Sequence, residues 1–196
     1  MVPITEPGRV TEMSYDPASG NLLTKKITST ADAKARQWIY TYTGAGDNTL
    51  PNLLKTVDGP RTDVSDITAY SYYPNGDLQS VTNALGHPTQ ITSYDPHGRP
   101  LSIVDPNTLN TTLSYWPRGW LKSRSVGAET TYYDYDSVGQ IKKVTLPSDA
   151  FVRYDYDDAH RLTDIWDQDN NRIHYTLDPM GNRIQEDTYD ALGATV

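Results

Sequence analysis

Acidic residues in pairs are the first feature with chemical meaning. Asp134 and Asp136, and again Asp155 and Asp157, are separated by a single tyrosine. Paired carboxylates can divide general-acid and general-base work in glycoside hydrolysis. Both pairs recur in one local context, Tyr-Asp-Tyr-Asp, whereas a catalytic pair should be unique. We read Asp136 and Asp157 as turn residues and Asp134 and Asp155 as outward-pointing strand residues. Asp167-Gln168-Asp169-Asn170-Asn171 resembles the opening of a calcium loop, with Asp178 at the twelfth position. Its sixth position is Arg172, where such a loop needs glycine, and its last ligand is normally a bidentate Glu. It reads as another turn. The histidines His87, His97, His160 and His174 lack the spacing of a metal pair, and the first three sit at or beside turns. Ser and Thr are plentiful, but no Gly-x-Ser-x-Gly elbow occurs, and Gly44-Ala45-Gly46 lacks the Lys-Ser/Thr of a phosphate loop. With no cysteine there is no disulfide, thiol nucleophile or Cys-based zinc site. The expectation is no catalytic residue, no metal and no cofactor.

The elements that carry these residues are set by a repeat. A tyrosine followed by a turn that ends in glycine recurs along the chain. The clear copies are Tyr72 to Gly76, Tyr94 to Gly98, Tyr115 to Gly119, Tyr135 to Gly139 and Tyr189 to Gly193. Tyr15 to Gly20 carries one extra residue, and Tyr42 with Gly44-Ala45-Gly46 is looser. Tyr156 has His160 in place of glycine, and Gly181 has Leu177 in place of tyrosine. The anchors at 15, 42, 72, 94, 115, 135, 156, 177 and 189 are spaced by 27, 30, 22, 21, 20, 21, 21 and 12 residues. Five consecutive intervals close to 21 predict about eight repeats over 15–196, irregular at 43–71, where we expect a longer second turn. Residues 1–14 read as a partial repeat or a frayed end.

Each unit reads as two strands and two turns. Asp and Pro set the early dihedrals of the anchor turn, and glycine accepts a positive φ. A second polar turn follows about ten residues on, as in Asn83-Ala84-Leu85-Gly86. In the return strand Tyr133 and Tyr135, Tyr154 and Tyr156, and Tyr70 and Tyr72 are i, i+2 pairs that share a face. Asp134, Asp155 and Ser71 point the other way. In the outgoing strand Leu78 and Val81, or Ile141 and Val144, are three apart. That spacing calls for either a bulge or partial cover on both faces.

These motifs resemble the YD-repeat, or rearrangement-hotspot (Rhs), family. Tyr94-Asp95-Pro96-His97-Gly98-Arg99, Tyr135-Asp136-Ser137-Val138-Gly139 and the run from Tyr175 to Arg183 carry the likeness, which covers nearly the whole chain. The resemblance implies an all-β fold in which antiparallel β-hairpins form a curved, spiralling sheet, a segment of a hollow β-shell. It also implies a secreted or cell-surface location within a larger Rhs-type polypeptide, bacterial toxin shells and animal teneurins being the known contexts. The implied partners are the remainder of that polypeptide and its encapsulated toxin segment. Family shells end in a core with aspartate-based self-cleavage motifs, which nothing here matches. The chain ends at Val196 just after opening another unit and so reads as a segment of something longer.

Composition agrees with that fold class. Leu, Ile, Val and Phe number only 37 of 196 residues, yet 15 Tyr and 4 Trp supply the missing apolar surface. Asp outnumbers Glu by 21 to 4 and there are 24 Thr and 26 Gly plus Pro, a choice that favours turns and strands over helices. A net charge of −8 with no basic stripe opposes nucleic acid and anionic membranes as partners. No stretch reaches the length of a membrane span, and Met1-Val2-Pro3-Ile4-Thr5-Glu6 lacks the segments of a signal peptide. The function expected is non-catalytic, a scaffold or shell wall that can self-associate through open sheet edges. The alternative is an extracellular carbohydrate-binding module, with hairpins paired into propeller-like blades and tyrosine faces binding glycan. A glycan-active enzyme ranks third. Tyrosines at equivalent positions are expected to stack on one another, and no unit is expected to hold a privileged sugar site.

Overall fold

The computed structural model describes residues 3–195; Met1, Val2 and Val196, at the outer ends of the two stretches 1–14 and 15–196, lie outside the described residues. Every regular element among the described residues is a β-strand, as the Thr-, Tyr- and Val-rich segments between turn residues require. The strands fall into two units, 1–109 and 110–196.

The first unit holds β1 (Ile4–Glu6), β2 (Arg9–Tyr15), β3 (Leu22–Ser29), β4 (Ala35–Tyr42), β5 (Leu54–Asp58), β6 (Thr68–Tyr72), β7 (Leu78–Thr82), β8 (Pro88–Tyr94) and β9 (Pro100–Val104). Each strand pairs antiparallel with the next. The second unit repeats the plan with β10 (Asn110–Tyr115), β11 (Leu121–Val126), β12 (Glu129–Tyr135), β13 (Ile141–Thr145), β14 (Phe151–Tyr156), β15 (Leu162–Asp167), β16 (Arg172–Leu177) and β17 (Arg183–Tyr189). Within each unit each strand thus contacts only its neighbours among the described residues, the economy of a repeat protein.

Opposed residues in an antiparallel pair share a face, so the registers sort the side chains. One face of the first unit carries Met13, Ile27, Tyr40, Val57, Tyr70, Val81, Ile91 and Ile103, and one face of the second carries Leu113, Tyr133, Val144, Val152, Tyr154, Ile165, Ile173 and Tyr175. The other face is rich in Ser, Thr and charge. Within each unit no second layer covers either face among the described residues. Among the described residues only Tyr175, Thr43 and Asp164 are buried, at 8%, 7% and 8% exposure.

A bulge, rather than cover on both faces, explains the outgoing strands. Tyr72 opposes Leu78 and Ser71 opposes Ser80, which leaves Gln79 unpaired. The same slip leaves Lys142 unpaired opposite Tyr135 and Ile184 unpaired opposite Leu177. The extra residue returns Val81 and Val144 to the apolar face.

The irregular stretch differs from expectation, because both of its turns are long. After Tyr42 a loop over 43–53 folds around Thr43, whose Oγ1 donates to the Leu50 carbonyl at 2.7 Å and accepts from the Leu53 N–H at 3.0 Å. The second long turn, 59–67, closes on Asp66, which accepts the Arg61 N–H at 3.0 Å.

Candidate functional site

The repeated anchor is the unit from which any site must be built. The residue after the tyrosine opens a tight turn whose fourth residue donates back to it, as Gly98 N–H does to the Asp95 carbonyl at 3.0 Å and Gly181 N–H to the Asp178 carbonyl at 2.9 Å. The fourth residue is left-handed in the clear copies and in the Leu177 copy: Gly76, Gly98, Gly119, Gly139 and Gly181 have φ between 75° and 100°. Gly20, in the turn with one extra residue, has φ 75°. His160 takes this conformation at φ 62°, where a side chain costs energy. Its ring and carbonyl both meet the Gln140 amide, at 3.2 and 2.7 Å.

The aspartates of these turns are structural acceptors. Asp136 Oδ1 receives the N–H groups of Val138, Gly139 and Gln140 at 2.8–3.0 Å. Asp157 Oδ1 receives those of Ala159 and Arg161, and its Oδ2 the Arg161 guanidinium at 2.7 Å. Asp178 is held the same way by Met180, Asn182 and the Asn182 amide. Desolvation pushes the Asp136 carboxyl up, but the N–H donations outweigh it and hold it below the usual carboxylate range. For Asp157 and Asp178 the side-chain donors Arg161 and Asn182 are the main cause of the same lowering. The calcium-like Asp167 is likewise engaged, by Asp169 and Asn171.

The tyrosines work through their hydroxyls. Tyr42 donates to the Leu22 carbonyl, Tyr72 to Leu54, Tyr94 to Leu78 and Tyr156 to Ile141, at 2.6–2.8 Å. Each acceptor is the residue that opposes the previous anchor tyrosine, so one repeat ties to the next. Desolvation pushes the phenols of Tyr72, Tyr94 and Tyr156 up, keeping them as donors. This corrects the expectation of ring-on-ring stacking. Successive anchors are two strands apart, about 9.5 Å, and a whole strand lies between the rings.

Other anchors depart from the pattern. Tyr15 is 55% exposed and reaches only Met13 Sδ, at 3.2 Å. Tyr115 closes β10 and is half-buried. Tyr135 lies against Trp120, with centroids 5.3 Å apart. Tyr189 is not in the anchor register. It opposes Arg172 at the far end of the hairpin from Leu177, and Gly193, at φ 82°, belongs to a second turn. Its 12-residue spacing is half a repeat, and the same Asp-x-x-Gly chemistry closes both kinds of turn.

On the polar face the position before each anchor pairs across the strands. Ser14 meets Thr24, Thr41 meets Thr56, Ser71 meets Ser80 and Ser114 meets Ser123, at 2.5–2.7 Å. In β14 and β15 the same position opposes Asp155 to Asp164. Asp155 accepts the Trp166 Nε1–H at 2.8 Å, and Asp164 takes Arg172 at 2.5 Å and His174 at 2.8 Å. The Trp166 ring lies between Arg153 and Arg172, 4.9 and 5.1 Å from its centroid. Sequence reasoning placed Asp155 on a strand but missed this cluster, because its members meet only across three strands.

It also missed a recess of about 420 Å³ lined by Trp116, Pro117, Arg118, Trp120, Asp134 and Tyr135. Trp116 replaces the turn aspartate, and its Nε1–H donates to the Tyr133 carbonyl at 3.1 Å. The signal was present as a departure from the repeat, Trp-Pro-Arg-Gly-Trp.

Comparison with known proteins places this geometry. A family model described as the teneurin YD-shell matches residues 8–177. Among solved structures, a Photorhabdus luminescens Tc holotoxin pore superposes with a TM-score of 0.74 at 15% identity, over 96% of this chain and 11% of that one. A TcdB2-TccC3 structure without its hypervariable C-terminal region gives 0.74 at 16%, over 93% and 11%. A further structure, TcdB2-TccC3-TEV, gives 0.70 at 18%, over 98% and 12%. This chain therefore spans only about a ninth of the solved chains it resembles. No curated protein sequence matches it.

Proposed function

The chain belongs to the teneurin YD-shell family, and from that premise we propose that it is one stretch of the wall of a larger protein shell, with no catalytic role of its own. The observation that carries this is the sheet itself. Within each unit it is one layer thick, with an apolar Tyr/Val/Ile face and an opposite hydroxyl and charged face, and only three residues among those described are buried. Such a sheet separates two spaces and makes no core; its strength comes from hydroxyl-to-carbonyl ties between repeats. The parent is a secreted or surface-exposed Rhs-type polypeptide, residues 15–196 act as one run of repeats within it, and the enclosed partner is a segment of that same polypeptide. No helix among the described residues is long and apolar enough to cross a membrane. The spent turn carboxylates support the absence of catalysis.

The test is protection. In the longer polypeptide, a protease should spare an enclosed segment while the wall is intact and cut it when Gly139→Val breaks the wall. Equal cleavage in both would overturn the reading. The isolated chain should associate with increasing concentration in sedimentation, since open strand edges leave backbone groups to pair.

A further inference from the structure

The recess beside Trp116 has chemistry that the repeat does not need. Four other anchor turns open with Asp95, Asp136, Asp157 or Asp178 and spend that carboxylate on their own N–H groups, while the Tyr72 turn opens with Tyr73, whose hydroxyl donates to the Ile91 carbonyl at 2.9 Å. Here Trp116 opens the turn, which closes through backbone alone, Gly119 N–H to the Trp116 carbonyl and Trp116 N–H to the Trp120 carbonyl, both at 2.8 Å. A clamp has been given up for two indoles.

Both indoles are held rigidly. Trp116 is fixed by its bond to the Tyr133 carbonyl. Trp120 is wedged against Tyr135, and a Cβ on Gly139 would come within 2.7 Å of its ring. The walls are apolar, and two polar groups stand at the margin. Among the described residues the Asp134 carboxylate has no hydrogen bond or ion pair, while Arg118 gives one N–H to the Ser137 carbonyl at 2.7 Å. A rigid apolar pocket of this size with a few convergent polar groups is the general form of a small-ligand site.

Charge narrows the ligand. The Lys122 ammonium lies 4.9 Å from the Trp116 centroid and the Arg118 guanidinium 5.5 Å from that of Trp120. Both indoles already face a cation, so an organic cation would meet repulsion where it would otherwise find an aromatic cage. Asp134 opposes an anion. What remains is a neutral ring with C–H faces for the indoles and hydroxyls for a carboxylate and a guanidinium. We propose that this recess is a subsite for a single neutral pyranose ring of a glycan. It stands independently of the wall reading, because it needs only the local fold.

The 196-residue chain should be titrated with the methyl glycosides of glucose, galactose, mannose and N-acetylglucosamine, followed by tryptophan fluorescence and saturation-transfer NMR. At least one should bind saturably with a Kd of about 1 mM, the range open to so small a ligand. Sorbitol and choline should not. Asp134→Asn, at an exposed residue without partners, should weaken binding about tenfold through loss of a charge-assisted hydrogen bond. Trp120→Ala should abolish binding, and Trp166→Phe should leave it unchanged. Saturable binding by none of the four glycosides, tighter binding of choline, or full affinity in Asp134→Asn would overturn the proposal.

Discussion

Two stretches of this chain build the same sheet with different polar faces. In β2–β8 the position before each anchor tyrosine is held by neutral hydroxyl pairs, Ser14 with Thr24, Thr41 with Thr56 and Ser71 with Ser80. In β14–β16 it becomes a charged lattice around Trp166, where Asp155 and Asp164 face each other and Arg153, Arg172 and His174 compensate. The lattice is imperfect, since the buried Arg153 Nε has no acceptor. Backbone register is the same in both. The demands of the repeat thus sit in the left-handed turn residue, the bulge and the tyrosine hydroxyl, while the polar face is free to change provided like charges are offset.

Acid should separate the two stretches most strongly. The turns joining β6 to β7 and β7 to β8 use Tyr73–Gly76 and the neutral clamp Asn83, which do not titrate in acid. Those around β14–β16 rely on Asp157, Asp167 and Asp178, all held below the usual carboxylate range, mainly by Arg161, Asn171 and Asn182 respectively. Desolvation pushes Asp164 up, but His174, Thr163 and Arg172 outweigh it and lower it too. A carboxyl lowered in the folded state stabilises above its unfolded pKa and loses that contribution as pH falls through the folded value. Hydrogen exchange should therefore show β14–β16 opening below about pH 4 while the β7–β8 hairpin around Asn83 stays protected. Simultaneous opening of both would break the contrast.

Glycine substitutions come next. Gly139→Val should cost about 2–4 kcal/mol in urea unfolding, because its positive φ strains any side chain and its Cβ meets Trp120. Gly98 has the same handedness but open space around it, so Gly98→Ala should cost only about 1 kcal/mol. Equal losses would mean that turn strain alone matters. Asp164→Ala strands Arg172 and His174 and should cost about 1–3 kcal/mol, against about 0.5–1 kcal/mol for Ser71→Ala, whose partner Ser80 is more easily solvated. The smallest difference concerns the ties between repeats. Tyr94→Phe should lower stability by about 0.5–1.5 kcal/mol, whereas Tyr15→Phe, at an exposed ring bonded only to Met13, should stay within about 0.5 kcal/mol.

Much of this scaffold is legible from residue types. Asp95-Pro96-His97-Gly98 reads as a turn because each residue's local preference points the same way, and Tyr133 and Tyr135 share a face because strands alternate. The calcium-like segment and the aspartate pairs read as turn and strand residues for the same local reason. Legibility failed where local chemistry repeats itself at two places. Tyr189-Asp190-Ala191-Leu192-Gly193 matches the anchor motif residue for residue, yet it closes the opposite end of a hairpin. It failed again at 43–71, where the length between anchors does not say which turn absorbs the extra residues.

The sequence by itself determined the period, the strand and turn assignment, and the left-handed position in each turn, because these follow from dihedral preferences and side-chain alternation over a few neighbouring residues. Only the tertiary structure decided which carbonyl each tyrosine reaches, where the bulge falls, how Asp155, Asp164, Arg172 and His174 converge, and that Trp116, Trp120, Asp134 and Tyr135 line one recess. Those outcomes depend on cross-strand register. A slip of one residue would turn every side chain of a strand to the other face, and register is set jointly by both turns, the bulge and the neighbouring strand.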